Sequence, residues 1–306
     1  MGLIISTAVM LILLVMSPSS QTFRVNVDAV RVDVLVTDGS RPVTGLEPMD
    51  FELRDSGVLQ RLESVFIEEL PVSMMLALDA SSSVRGVPLE HLKGAGSAVV
   101  RLLRPGDRGA VLTFSEEIDH ASGWTSDHQQ LTLALERTEA SGSTALHDAT
   151  YAALTLRDPQ AGRLLVIIFS DGDDTASWLS GPAVIDVARH TDAVVYAVGL
   201  RNVPIRKLGY LVDFRSGLPP DIPRVVPSAL AQSFLSALAD ETGGKYVEIG
   251  RSHQLRETFE RILTEFRTRY VLTYIPTGVG KTGWHPIEVR LKNKRGSVTA
   301  RRGYMR

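Results

Sequence analysis

Two aspartates in this chain each close an apolar run, and hydroxyl side chains crowd around both. In "MMLALDASSS", Asp79 ends a run of apolar residues, and Ser81 and Ser83 follow it. In "LLVIIFSDGDD", Asp171 stands in the same place after a second run. A third stretch, "SGSTALHDA", puts Thr144 in a small-residue loop just before a helix-like segment. Two carboxylates and three hydroxyls make an all-oxygen donor set. Such a set suits Mg²⁺, with Mn²⁺ or Ca²⁺ also fitting, and does not suit zinc. The chain has no cysteine, so disulfides, thiolate metal sites and a cysteine nucleophile are excluded. A site with so few direct charges leaves a cation electrophilic enough to take an external carboxylate.

Each motif alone has a plainer reading. Asp79 and Ser81 are favoured helix caps, and Asp171 is a common turn residue. What favours a site is that all three fall where strands end or helices begin. The segment "VSMMLALD" is a continuous apolar run, as expected of a strand buried on both faces. After it, helical patterns at about 89–103, 126–135, 145–156, 182–190, 228–242 and 253–267 alternate with the strands "GAVLTF", "RLLVIIFS", "AVVYAVGL" and "KYVEI". That alternation predicts an α/β fold with a doubly wound, mostly parallel sheet. Ligands in such sheets bind beyond the carboxyl ends of the strands, where the strand order reverses. Asp79, Ser81, Ser83, Thr144 and Asp171 then converge.

The flanks read differently. Residues 24–70 show period-two spacing (Val30, Val32, Val34, Val36), a turn at Asp55-Ser56-Gly57 and two further strands around it, without helical periodicity. Beyond the last helix, "YVLTYIPTG" and "WHPIEVRLKN" read as a strand pair and "SVTARRGYMR" as a third short strand. The simplest architecture packs the N- and C-terminal segments together as one small antiparallel β module, since three strands alone would be marginal. The boundaries expected are 1–20 for a leader, 21–70 for the N-terminal β segment, 71–267 for the α/β domain and 268–306 for the C-terminal β segment. The proline-rich stretch 201–227 is long enough to be a surface excursion.

The leader is an apolar run of about 14 residues followed by small polar ones, too short for a membrane span of ~20 and suited to a signal peptide. An extracytoplasmic location is expected, with membrane attachment only if the leader stays uncleaved. A net charge of −2 argues against a nucleic-acid partner.

"DASSS" fits the D-x-S-x-S motif of the von Willebrand factor type A (VWA) domain, "GSTALHDA" resembles that family's threonine loop, and "FSDGDD" resembles its second aspartate motif. The flanking β segments resemble those of acidobacterial VWA-related proteins. The resemblance implies a Rossmann-like fold and a metal-ion-dependent adhesion site. Ser81, Ser83 and Thr144 would bind the cation through hydroxyls, Asp79 and Asp171 directly or through water, and a protein partner's Asp or Glu would complete the shell. It implies a binding and adhesion role without enzymatic activity. One departure is Ser82, where the family often has glycine.

Three rival readings come from the residues. "TGVGKTG" is no phosphate loop, because Ile275 stands where glycine is required and a hairpin turn is expected there. A serine hydrolase would need a histidine such as His147 beside Ser81 or Ser83, and no G-x-S-x-G elbow is present. An assembly scaffold with a structural metal would use the 201–227 stretch as its contact surface. The basic C-terminus reads as a charged β edge.

Overall fold

The computed structural model describes residues 29–67, 70–160, 162–171, 174–200 and 227–306. The expected leader and the stretch 201–226 lie outside the described residues. The valine-spaced segment forms β1 (Val30–Asp38), with Val32, Val34 and Val36 buried and Arg31 exposed. β2 (Arg41–Pro42) folds back on it. β3 (Phe51–Asp55) and β4 (Val58–Gln60) make a hairpin whose turn residues Ser56 and Gly57 both have positive φ. β5 (Leu62–Ile67) then leaves for the opposite sheet.

The central unit contains β6 (Val72–Asp79), α1 (Val87–Val100), β7 (Arg108–Phe114), β8 (Ile118–Thr125), α2 (His128–Glu136), α3 (Leu146–Thr155), β9 (Arg163–Ser170), α4 (Gly181–Arg189), β10 (Val194–Leu200), α5 (Pro227–Thr242), β11 (Lys245–Ile249) and α6 (Leu255–Arg267). Its sheet runs β11-β10-β9-β6-β7-β8. All neighbours are parallel except β8, which returns antiparallel along β7. β6 and β9 are buried along their whole lengths, which is why both read as unbroken apolar runs. On one face Leu76, Leu78, Ile167 and Phe169 pack against α1, α2 and α6. On the other, Met75, Ala77, Val166 and Ile168 pack against α3, α4 and α5. Strand order reverses between β6 and β9, so Asp79 and Asp171 flank the switch point.

β12 (Tyr270–Tyr274), β13 (Trp284–Leu291), β14 (Ser297–Ala300) and β15 (Gly303–Met305) complete two antiparallel sheets. One runs β14-β1-β12-β5 and the other β15-β13-β3-β4, so each mixes strands from both ends of the chain. Val32, Val34, Phe51, Leu53, Tyr270, Leu272 and Ile287 form the core between them. Three expectations are corrected here. β12 and β13 are not a pair but lie in opposite sheets, so the "TGVGKTG" segment crosses between sheets and is no hairpin turn. The C-terminal stretch is two strands, β14 and β15, one in each sheet. The edge strand β8 was not expected, because its residues are exposed or half-buried at all but one position and carry no apolar alternation.

Candidate metal centre

The end of β6 and the turn after it bring Asp79, Ser81 and Ser83 together. Asp79 is fully buried, and its Oδ1 accepts from the backbone N–H of Ser81 at 2.9 Å. Its Oδ2 accepts from the hydroxyl of Ser170 at 2.7 Å. The hydroxyl of Ser83 donates to Asp171 Oδ1 at 2.7 Å, and the Ser81 and Ser83 hydroxyls lie 2.9 Å apart. Because the Ser83 proton is committed to Asp171, Ser81 is the donor of that pair. A relay Ser81–Ser83–Asp171 therefore joins the mouths of β6 and β9.

Thr144 is buried, and its loop is pinned to both aspartate loops. Ser141 donates from its backbone to Ala80 O at 2.9 Å, and Ser82 to Gly142 O at 3.0 Å. On the other side, the N–H groups of Thr175 and Ala176 donate to Thr144 O at 2.8 and 3.0 Å, and Thr144 N donates to the Thr175 hydroxyl at 3.0 Å. The loops carrying the expected residues thus form one hydrogen-bonded assembly.

Electrostatics set these carboxylates apart. Burial pushes Asp171 up to about 6; the bond from Ser83 offsets part of this, and the charge of Asp79 adds to it. Burial also raises Asp79, against the hydrogen bonds from Ser81 and Ser170. Two carboxylates held in low dielectric beside hydroxyl oxygens form a place where positive charge is favoured. Among the described residues no group of three or more His, Cys, Asp or Glu is assembled. The oxygen donors present, carboxylates and hydroxyls, are of the kind a hard cation takes.

Some residues do other work than expected. His147 starts α3 with its ring T-shaped against Phe234, at 4.5 Å between centroids, and its Nδ1 is 3.2 Å from Leu179 O and 3.3 Å from Asp174. Asp174 accepts from His147 N at 3.1 Å and from the Ser177 hydroxyl. Asp148 accepts from the N–H groups of Trp178 and Leu179, each at 2.9 Å, and so buttresses the loop after β9. Asp173 lies outside the described residues. Ser170 escaped the sequence reading, although a lone hydroxyl inside "VIIFSDG" was a signal for it.

Residues 73–213 match the family model described as von Willebrand factor type A domain. Among solved structures, the von Willebrand factor type A protein from Catenulispora acidiphila is similar with a TM-score of 0.52 and 13% identity, covering 89% of this chain and 75% of that one. Proximal thread matrix protein 1 from the mussel byssus, in a structure with a zinc-occupied MIDAS motif, is similar with a TM-score of 0.50 and 16% identity, covering 69% of this chain and 49% of that one. An uncharacterized protein of Synechocystis sp. is 34% identical over 85 residues, which is 26% of this chain and 19% of that relative's length. The family match and the shared fold together establish that this chain carries a von Willebrand factor type A domain.

Proposed function

We propose that this is an exported, non-enzymatic binding protein that captures an acidic side chain of a protein partner through a divalent cation. Asp79, Ser81, Ser83, Thr144 and Asp171 would hold the cation, with Mg²⁺ the best fit to their oxygen set and Mn²⁺ or Ca²⁺ alternatives. The observation that carries this reading is the Ser81–Ser83–Asp171 relay beside a buried, desolvated Asp79. When bound, the cation would supply a Lewis-acidic position for the partner's carboxylate. The chain's own residues do the rest. Ser170 and the Ser81 N–H fix the Asp79 carboxylate, and the bonds from residues 175 and 176 fix the backbone at Thr144.

The proposal includes a leader at 1–20, a β segment at 21–70, the α/β domain at 71–267 and a second β segment at 268–306. Export is supported by the apolar leader. Among the described residues, no helix is long and apolar enough to cross a membrane.

Calorimetry on the metal-stripped chain lacking residues 1–20 tests this reading, with Mg²⁺, Mn²⁺ and Zn²⁺ titrated in the presence of acetate. One-to-one binding that Asp79→Ala abolishes is the expected result. Equal binding by both proteins would place the cation elsewhere. No binding at millimolar metal would contradict the cation-bridged reading.

A further inference from the structure

The loop that closes the candidate metal centre also holds the most exposed large apolar side chain among the described residues. Trp178 is 96% exposed. An indole offers ~150–250 Å² of surface, and leaving it in water forfeits the stabilisation that burial would give. Nothing about the backbone here is loose. The N–H groups of Trp178 and Leu179 both donate to Asp148, Ser177 is bonded to Asp174 and Asp148, and Ser180 caps α4 through Ala183 N. Leu179 packs against the buried core. The chain on both sides of Trp178 is anchored, while the indole stands in solvent.

That loop is continuous with the site. Thr175 and Ala176, two and three residues before Trp178, hold the Thr144 carbonyl. On the opposite flank, a cleft of about 650 Å³ opens beside Ala80, and its wall includes Glu117, Asp119, Asp127 and Glu139 against Arg137 and His120. That flank of the centre is therefore net acidic. A partner that delivers a carboxylate there is matched by basic side chains on that side of it.

We propose that Trp178 is the anchor of the partner interface, and that its occupant is an extended, basic protein segment with one carboxylate. The indole takes an apolar or guanidinium-bearing side chain next to that carboxylate, since a rigid exposed Trp is the residue type that concentrates binding energy and also stacks with cations. This rests on the cation-bridged reading above, which supplies the site for the carboxylate.

The probe is a random peptide library with one fixed aspartate, selected on the full chain in Mg²⁺. Recovered peptides are then titrated against wild type, Trp178→Ala and Trp178→Phe, with and without chelator. Enriched peptides should be net positive, and Trp178→Ala should weaken them by roughly 10-fold or more, with Trp178→Phe in between. Thermal stability of Trp178→Ala should match wild type, because the ring is solvent-exposed. Peptides that need the cation but bind Trp178→Ala equally would overturn the anchor and leave the cation reading standing. Peptides that need Trp178 but ignore chelator would uphold the anchor and remove the cation reading. No enriched peptide would overturn the protein segment as occupant.

Discussion

A buried carboxylate costs stability unless donors or a positive charge face it, and this chain has both outcomes. At Asp171 and Asp79 desolvation wins over the hydroxyl and N–H donors. Asp171→Asn removes a desolvated charge while keeping the shape. Its melting temperature without metal should equal or exceed wild type, whereas Mg²⁺ should no longer raise it. For wild type at 100 times Kd, Mg²⁺ should add about 2.7 kcal/mol. Asp55 is the opposite case. It too is fully buried, but His285 at 3.0 Å, Tyr274 and Tyr304 at 2.9 Å and Ser56 at 3.0 Å surround it. Burial pushes its pKa up, and the four hydrogen bonds more than reverse that, so it ends below the usual value. A lowered folded pKa gives stability above the unfolded value of ~3.9 that is lost as pH falls through the folded value. Asp55→Asn should therefore cost about 3 kcal/mol in urea at neutral pH, and the gap should shrink steadily below about pH 4. Asp79 and Asp171 were legible because each ends an apolar run. Asp55 read only as a turn residue, because its main partners lie 219, 230 and 249 positions away in sequence.

Elements that bury both faces were readable from composition, and elements defined by their neighbours were not. β6 and β9 announce themselves because every position is buried and, apart from Asp79 and Arg163 at their ends, apolar or small. β8 is an edge strand exposed or half-buried along all but one of its positions, so its sequence needs no pattern. The strands after α6 were found and expected to pack with the N-terminal segment, but their individual partners were not, since a pairing such as β12 with β1 spans more than two hundred residues and leaves no local trace. α5 stops at "ETGG", and the backbone gives the reason. Gly243 takes φ +76°, its N–H bonds Asp240 O, and Gly244 N bonds Ala239 O, which is the Schellman pattern. A Cβ at Gly244 would sit 1.8 Å from Val195 O, and backbone there has no room to shift. Gly244→Ala should cost at least ~3 kcal/mol, seen as a lower urea midpoint. An unchanged midpoint would mean that α5 and β10 do not pass this closely.

The molecule has two poles. At the amino ends of the central strands, the α/β unit is tied to the β sheets by Arg163 paired with Asp33, Arg302 with Asp240 at 2.7 Å, and the fully buried Arg269, whose Nη2 donates to Gly243 O at 2.6 Å and Asp33 O at 3.1 Å. At the carboxyl ends lie the aspartates, the hydroxyls, Trp178 and the acidic cleft, left clear of those sheets. One pole gathers strands from both flanks of the chain, and among the described residues the other carries no part of the two β sheets, a division that follows from a parallel sheet whose flanks both return to the same edge. The carboxyl pole rests on contiguous motifs, and the tied pole on scattered arginines that belong to no motif. The account's central claim is tested most directly by anomalous diffraction at the manganese edge from crystals soaked in Mn²⁺ and acetate. One peak among Ser81, Ser83 and Thr144, within coordination reach of Asp79 or Asp171 and carrying an acetate oxygen, is the expected result. A peak in the Glu117–Glu139 cleft instead, or none at all, would contradict it.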